Sequence, residues 1–237
     1  PLHGVRMTIQ ISYVSDILCV WAYVAEVRLD ELRREFADSV ELEYQFIPVF
    51  GSTRHRIAEG WKERGGYAGF GAHIRKVAED FPHVTIDARV WDEVAPTTSA
   101  TAHEMLCAVR LLQEEGSLSA EHRDELSGRT LFEKAIWSVR AAFFEQARDI
   151  SDRGVLLDVL VEAGVPLGAI EAKLKSGEAL AEACRDVELR DQHKIEGSPT
   201  YYLNQGRQKL YGNVGYRVVS ANLRELIEQR GHQASWC

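Results

Sequence analysis

In this 237-residue chain the side chain best placed to do chemistry is Cys19. It ends the run Ser15-Asp16-Ile17-Leu18, between an alternating apolar segment and a helical pattern. A cysteine at a helix opening meets free backbone N–H groups and the positive end of the helix dipole, which favour an anion and lower a thiol's pKa. The expectation is an exposed, thiolate-rich nucleophile; the alternative is a small buried hydrophobe that only packs. Trp21 would shape a groove beside it, and Asp16 would cap the helix or tune the thiol, capping being the commoner role. A second feature is Gly197-Ser198-Pro199-Thr200. Proline donates no ladder hydrogen bond, so it belongs at a strand start or in a turn. With the commoner trans bond this is an ordinary turn. With a cis bond the Ser198 backbone turns outward and could pair with an extended thiol-bearing ligand.

The elements that must position these residues are legible. Thr8 to Ser15 alternates as a strand, with Ile9, Ile11 and Tyr13 on one face, and Glu41 to Ile47 alternates again. Between them, Ala22, Ala25, Leu29, Leu32 and Phe36 recur at helical spacing, predicting a helix from about Leu18 to Ala37. Near the end, Thr200–Leu203 and Gln208–Tyr211 flank Asn204-Gln205-Gly206 as a hairpin, and Ala221–Arg230 reads as a helix stopped by Gly231. The middle is helical, with a buried helix over Ala100–Leu112 and a core stripe over Leu131–Ala147. Gly65–Gly71 reads as a mobile loop whose Tyr67 and Phe70 line a substrate groove or pack within the insertion. The order β-α-β, helices, β-β-α predicts an α/β thioredoxin-like fold. Residues 1–55 and 190–237 form the thioredoxin-like domain, and residues 56–189 a large all-helical insertion.

Several classes are excluded. Four cysteines, none close to another, make neither a disulfide scaffold nor a zinc knuckle, and the eight histidines lack metal-ligand spacing, so no metal is expected. Cys107 lies in an apolar run and is expected to be buried; Cys184 and Cys237 are expected bystanders. Among the histidines, His55, His73 and His103 could approach Cys19 from the insertion, surface positions being the default. A net charge of −8 argues against nucleic acid. No apolar run reaches the ~20 residues of a membrane span, and Pro1–Met7 lack a secretory h-region, so a cytoplasmic protein with no membrane partner is expected.

Taken together, the topology, the helix-opening Cys19, the Gly197–Thr200 turn and the helical insertion resemble the DsbA-like thioredoxin superfamily. The nearest branch resembles the FrnE-type, protein-disulfide-isomerase-like cytosolic oxidoreductases, with hydroxychromene-carboxylate isomerases and kappa-class glutathione transferases as relatives. Phe144–Val165, with Arg148-Asp149-Ile150 ahead of a helix, is similar to that branch, and the resemblance spans nearly the whole chain. It implies a thiol–disulfide oxidoreductase with Cys19 as nucleophile, and Trp21, Ser198 and Pro199 at the substrate. The family pattern is Cys-x-x-Cys, but this chain has Cys19-Val20-Trp21-Ala22, so Ala22 stands where the resolving thiol would be. A monothiol cycle remains, in which Cys19 forms a mixed disulfide and glutathione or another small thiol resolves it, with no bound cofactor. In the glutathione-using relatives the Gly212–Arg217 position holds the γ-glutamyl end, implying a binding role for Asn213 with Arg217; a plain turn is the alternative. Those relatives carry serine at the position of Cys19. Two alternatives stand: a glutathione-dependent isomerase or transferase, and a non-catalytic binding protein. The partners implied are a disulfide-containing protein or a small thiol, with a homodimer left open.

Overall fold

The structure, a computed structural model, describes residues 8–37, 39–229 and 235. Strand β1 (Ile9–Ser15) turns through Asp16–Cys19 into α1 (Val20–Val24) and α2 (Glu26–Phe36), then β2 (Val40–Phe46). Six helices follow: α3 (Gly66–Ala78), α4 (Ala100–Glu114), α5 (Leu131–Phe144), α6 (Arg153–Glu162), α7 (Leu167–Ser176) and α8 (Glu178–Gln192). The chain returns through β3 (Thr200–Leu203), β4 (Gln208–Tyr211) and α9 (Tyr216–Glu228). The sheet order is β2-β1-β3-β4; β1 and β2 are parallel, and β3 is antiparallel to both neighbours. This is a thioredoxin fold with helices inserted between β2 and β3, as the pattern predicts.

Alternation places Ile9, Ile11 and Tyr13 of β1 in one core with Leu29 and Leu32 of α2 and Leu223 and Leu226 of α9. The opposite face buries a small cluster, Val14, Ile47 and Ile195. Helix starts follow local chemistry. Thr130 and Glu133 form a reciprocal capping box on α5, and Asp152 accepts from Val155 N–H on α6, each worth about 1 kcal/mol.

Four expectations are corrected. The predicted helix from Leu18 begins at Val20, because Ile17 and Leu18 commit their N–H groups to His103 and Asp16. That helix also divides at Ala25, beside the inward-turned Glu26. The Gly65–Gly71 loop is instead a helix from Gly66, entered through Gly65 at φ 91°. Its glycines serve close approach: a Cβ on Gly69 would lie 1.7 Å from Arg64 O, and one on Gly71 2.9 Å from Val90 O. Finally, α9 starts at Tyr216, after an extended Gly215, so that Val219 joins the buried stripe; Gly231 lies outside the described residues.

Candidate active site

The site is built on the turn between β1 and α1. Asp16 is fully buried and acts as its clamp: Oδ1 accepts from Leu18 N–H at 2.8 Å, and Oδ2 from Phe50 N–H at 2.8 Å and Ser99 Oγ at 2.7 Å. It therefore ties the turn to the segments after β2 and before α4. It does not cap α1, whose N-cap is Cys19 itself. From α4, His103 Nε2 accepts Ile17 N–H at 3.1 Å, so that nitrogen carries no proton. Burial pushes the imidazole down to about 4, outweighing the nearby Asp16 carboxylate.

The His103 shift has a definite sign. An imidazole at about 4 in the fold and 6.5 when unfolded favours the fold fully above pH 6.5. The benefit is lost as pH falls toward 4, because the unfolded chain binds the proton first. The expected loss is on the order of 3 kcal/mol between pH 7 and 4. Urea unfolding of wild type and His103→Gln across that range checks it; equal pH slopes in the two proteins would refute it.

Cys19 and the Gly197–Thr200 turn, remote in sequence, come together. The Ser198–Pro199 bond is cis. Cys19 Sγ donates to Ser198 O at 3.4 Å, while Ser198 Oγ accepts from Asp16 N–H at 2.8 Å. Ser198 thus holds the cysteine turn at two points. Thr200 Oγ1 donates back to Gly197 O at 2.8 Å and fixes the proline turn.

The expected exposed, thiolate-rich Cys19 is corrected. The residue is only 6% exposed, and burial raises its thiol above the ordinary 9.0. The bond to Ser198, the Ala22 backbone and the charge of Arg140 pull the other way without overcoming it, and Asp16 adds to the rise. The helix-opening position is real, but desolvation outweighs the hydrogen bond to the Ala22 N–H that it supplies.

Beneath the turn lies a buried ion pair that the sequence reading missed. Arg140 of α5, fully buried, sets Nε 3.0 Å from Glu26 Oε1, though the two atoms are not aligned as a hydrogen bond. Its Nη2 donates to Ser15 Oγ at 3.0 Å and its Nη1 to Asp16 O at 3.4 Å. Tyr23 is the second omission. It stacks on Phe144 at 4.6 Å and donates to Glu145 Oε1 at 2.7 Å, fastening α1 to the end of α5. The available signal was a lone arginine inside the apolar stripe of α5.

Of the remaining candidates, Trp21 is half-buried and meets Phe81 edge-on at 6.0 Å, forming an aromatic wall next to Cys19 in the chain. Ala22 is fully buried. Asn213 is exposed and follows Gly212, whose N–H donates to Pro199 O at 2.9 Å; no bond joins Asn213 to Cys19 or Ser198. His55 pairs with Glu59, and His73 packs on Trp61. Tyr67 stacks on Trp91 and bonds Thr53, while Phe70 packs among Phe50, Trp61 and Trp91. Cys107 is fully buried beside Arg110 and Asp186, its thiol raised far by burial. Cys184 is exposed on α8, and Cys237 lies outside the described residues.

A helix-opening cysteine facing a cis-proline turn on a β-α-β / β-β-α sheet is the arrangement of a thioredoxin-fold protein. Within that class, the chain belongs to the DsbA-like thioredoxin domain family, whose model matches residues 10–224. No curated protein matches the sequence significantly. Among solved structures, the chain is similar to a probable DsbA oxidoreductase from Streptomyces coelicolor, at TM-score 0.71 and 19% identity over 94% of this chain and 92% of that one. It is also similar to the cytosolic disulfide reductase DsbM from Pseudomonas aeruginosa, at 0.60 and 21% over 91% and 98%. A 2-hydroxychromene-2-carboxylate isomerase matches at 0.59 and 15% over 93% and 97%. At these identities the likenesses establish the fold alone.

Proposed function

We propose that this protein is a cytoplasmic monothiol oxidoreductase that exchanges Cys19 with a disulfide substrate and needs a small thiol such as glutathione to finish the cycle. The observation that carries the reading is Cys19 Sγ held 3.4 Å from Ser198 O beside the cis Pro199, with alanine in the fully buried position 22. An extended substrate strand fits against the Ser198 backbone, and Trp21 with Phe81 offers its side chains an apolar wall. Attack by the Cys19 thiolate on a substrate disulfide forms the Cys19–substrate bond and expels the other sulfur as a thiolate. A small thiolate then attacks the mixed disulfide, frees Cys19 and leaves with the substrate sulfur. A cytosolic disulfide reductase among the structural neighbours supports the cytoplasmic location.

The raised thiol shapes the kinetics. At any pH below its pKa, each added pKa unit costs tenfold in thiolate but returns about threefold in nucleophilicity, so the site is slowed rather than silenced. Because the folded thiol lies above 9.0, the rate is expected to keep climbing past pH 9. Iodoacetamide labelling of Cys19 followed by mass spectrometry, together with reduction of a small disulfide by glutathione, checks this. Cys19→Ser abolishes both signals if the reading holds.

One observation favours a second reading. A protonated Cys19 that donates to Ser198 O is a hydrogen-bond donor, the role a hydroxyl would play in orienting a bound thiolate. In that case the protein is a glutathione-dependent isomerase or transferase, and Cys19→Ser retains activity.

A further inference from the structure

A groove of about 1400 Å³ runs along β2, with α2 on one side and α4 and α8 on the other, and Cys19 takes no part in its lining. β2 is one of the two edge strands of the sheet, the other being β4. Ser39 O accepts from Ile9 N–H and Ile47 N–H donates to Ser15 O, so odd-numbered residues here turn their backbone groups toward β1. The even-numbered ones face the groove. Arg110 Nη1 takes Tyr44 O at 2.7 Å, and Asp186 takes Phe46 N–H at 2.9 Å, closing that end of the edge. Leu42 N–H, Leu42 C=O and Tyr44 N–H keep no partner among the described residues. An open edge of this kind is a template for another strand.

The groove is also one-sided in charge, with eight carboxylates against four arginines. Arg33 is engaged by Glu133 and Asp30, Arg34 by Glu31, and Arg110 by Asp186 and Glu182; Arg185 is exposed. Glu41 and Glu43 stand on one face of β2 without an ion-pair partner among the described residues. Burial, then Glu41 and Glu114, hold the Glu43 carboxyl above its ordinary range. The third residue on that face, Gln45, is 9% exposed and lines the groove, and its Oε1 accepts no hydrogen bond. Among the lining groups, Glu41, Glu43 and Gln45 Oε1 are acceptors left without a partner among the described residues.

We propose that this groove docks an extended, lysine- or arginine-bearing segment of a partner protein, which adds a short strand to Val40–Tyr44 and sets its cations against Glu41, Glu43 and Glu114. The volume exceeds the ~300–1,000 Å³ of small-molecule sites and suits a peptide. A segment lying there runs toward Phe46, which is paired with Ser15, and so toward the end of the sheet that carries Cys19. The inference rests on edge geometry and charge and stands apart from the redox reading.

The test is a fluorescein-labelled octapeptide of alternating lysine and valine, titrated into the full chain at low salt and read by anisotropy. Amide hydrogen exchange at Leu42 and Tyr44 is followed in parallel. Saturable binding with slowed exchange at both amides is expected. Glu41→Lys with Glu43→Lys should weaken binding by about tenfold or more at an unchanged urea midpoint. A glutamate–valine octapeptide should not bind. The proposal is overturned by unaltered exchange at Leu42, by equal binding to the charge-reversed protein, or by spermine displacing the peptide at matched charge. A dimer of the wild type that the double substitution abolishes would also overturn it, assigning the edge to a second copy.

Discussion

Ala22→Cys is expected to speed the release of mixed disulfides from Cys19 by on the order of a hundredfold or more at millimolar glutathione. Well-oriented intramolecular groups act at effective concentrations far above millimolar. Position 22 lies three residues from Cys19 in the first turn of α1, and its N–H donates to Cys19 O at 3.1 Å. Residues so spaced share one helix face. A thiol there would restore the Cys-x-x-Cys arrangement and let the second sulfur expel the substrate without help. Because Ala22 is fully buried, the added atom costs about 1–3 kcal/mol of packing, and Ala22→Ser serves as the fold control. Stopped-flow release of a chromogenic mixed disulfide gives the readout. Unchanged release in a folded Ala22→Cys protein would mean that position 22 does not face the reacting sulfur. It would also remove the reason for calling the wild type a monothiol variant.

The second large effect concerns the ion pair under the site. Arg140→Met should destabilise the fold by about 3–5 kcal/mol, since it strands the buried Glu26 carboxylate. Adding Glu26→Gln should recover much of that loss. Recovery will be incomplete, because Ser15 Oγ and Asp16 O lose the donors that Arg140 supplied. The same change removes a positive charge that pulls the Cys19 thiol down, so labelling of Cys19 should move to still higher pH. Urea unfolding of the two single variants and the double variant, with iodoacetamide profiles, separates stability from thiol tuning. Additive losses in the double variant would show that Glu26 and Arg140 are not coupled.

What the sequence alone determined is what short-range chemistry writes. Alternation over two to eight residues marked β1, β2 and the hairpin, and helical spacing marked most of the insertion. Element order then supplied the thioredoxin topology. Cys19 at a helix start, the absence of a thiol at Ala22 and the proline after Ser198 were equally legible, because each is a statement about residues within one turn of each other. The tertiary structure decided everything that depends on partners far away in the chain. Asp16 meets Ser198 across 182 positions, Arg140 reaches Asp16 across 124, and His103 reaches Ile17 across 86. No local period carries such pairings. It also decided the sign of the Cys19 shift. A helix N-terminus taken alone predicts a lowered thiol, but the folded chain excludes water from that sulfur, and the cost of burying its charge exceeds what the Ser198 and Ala22 hydrogen bonds and Arg140 return.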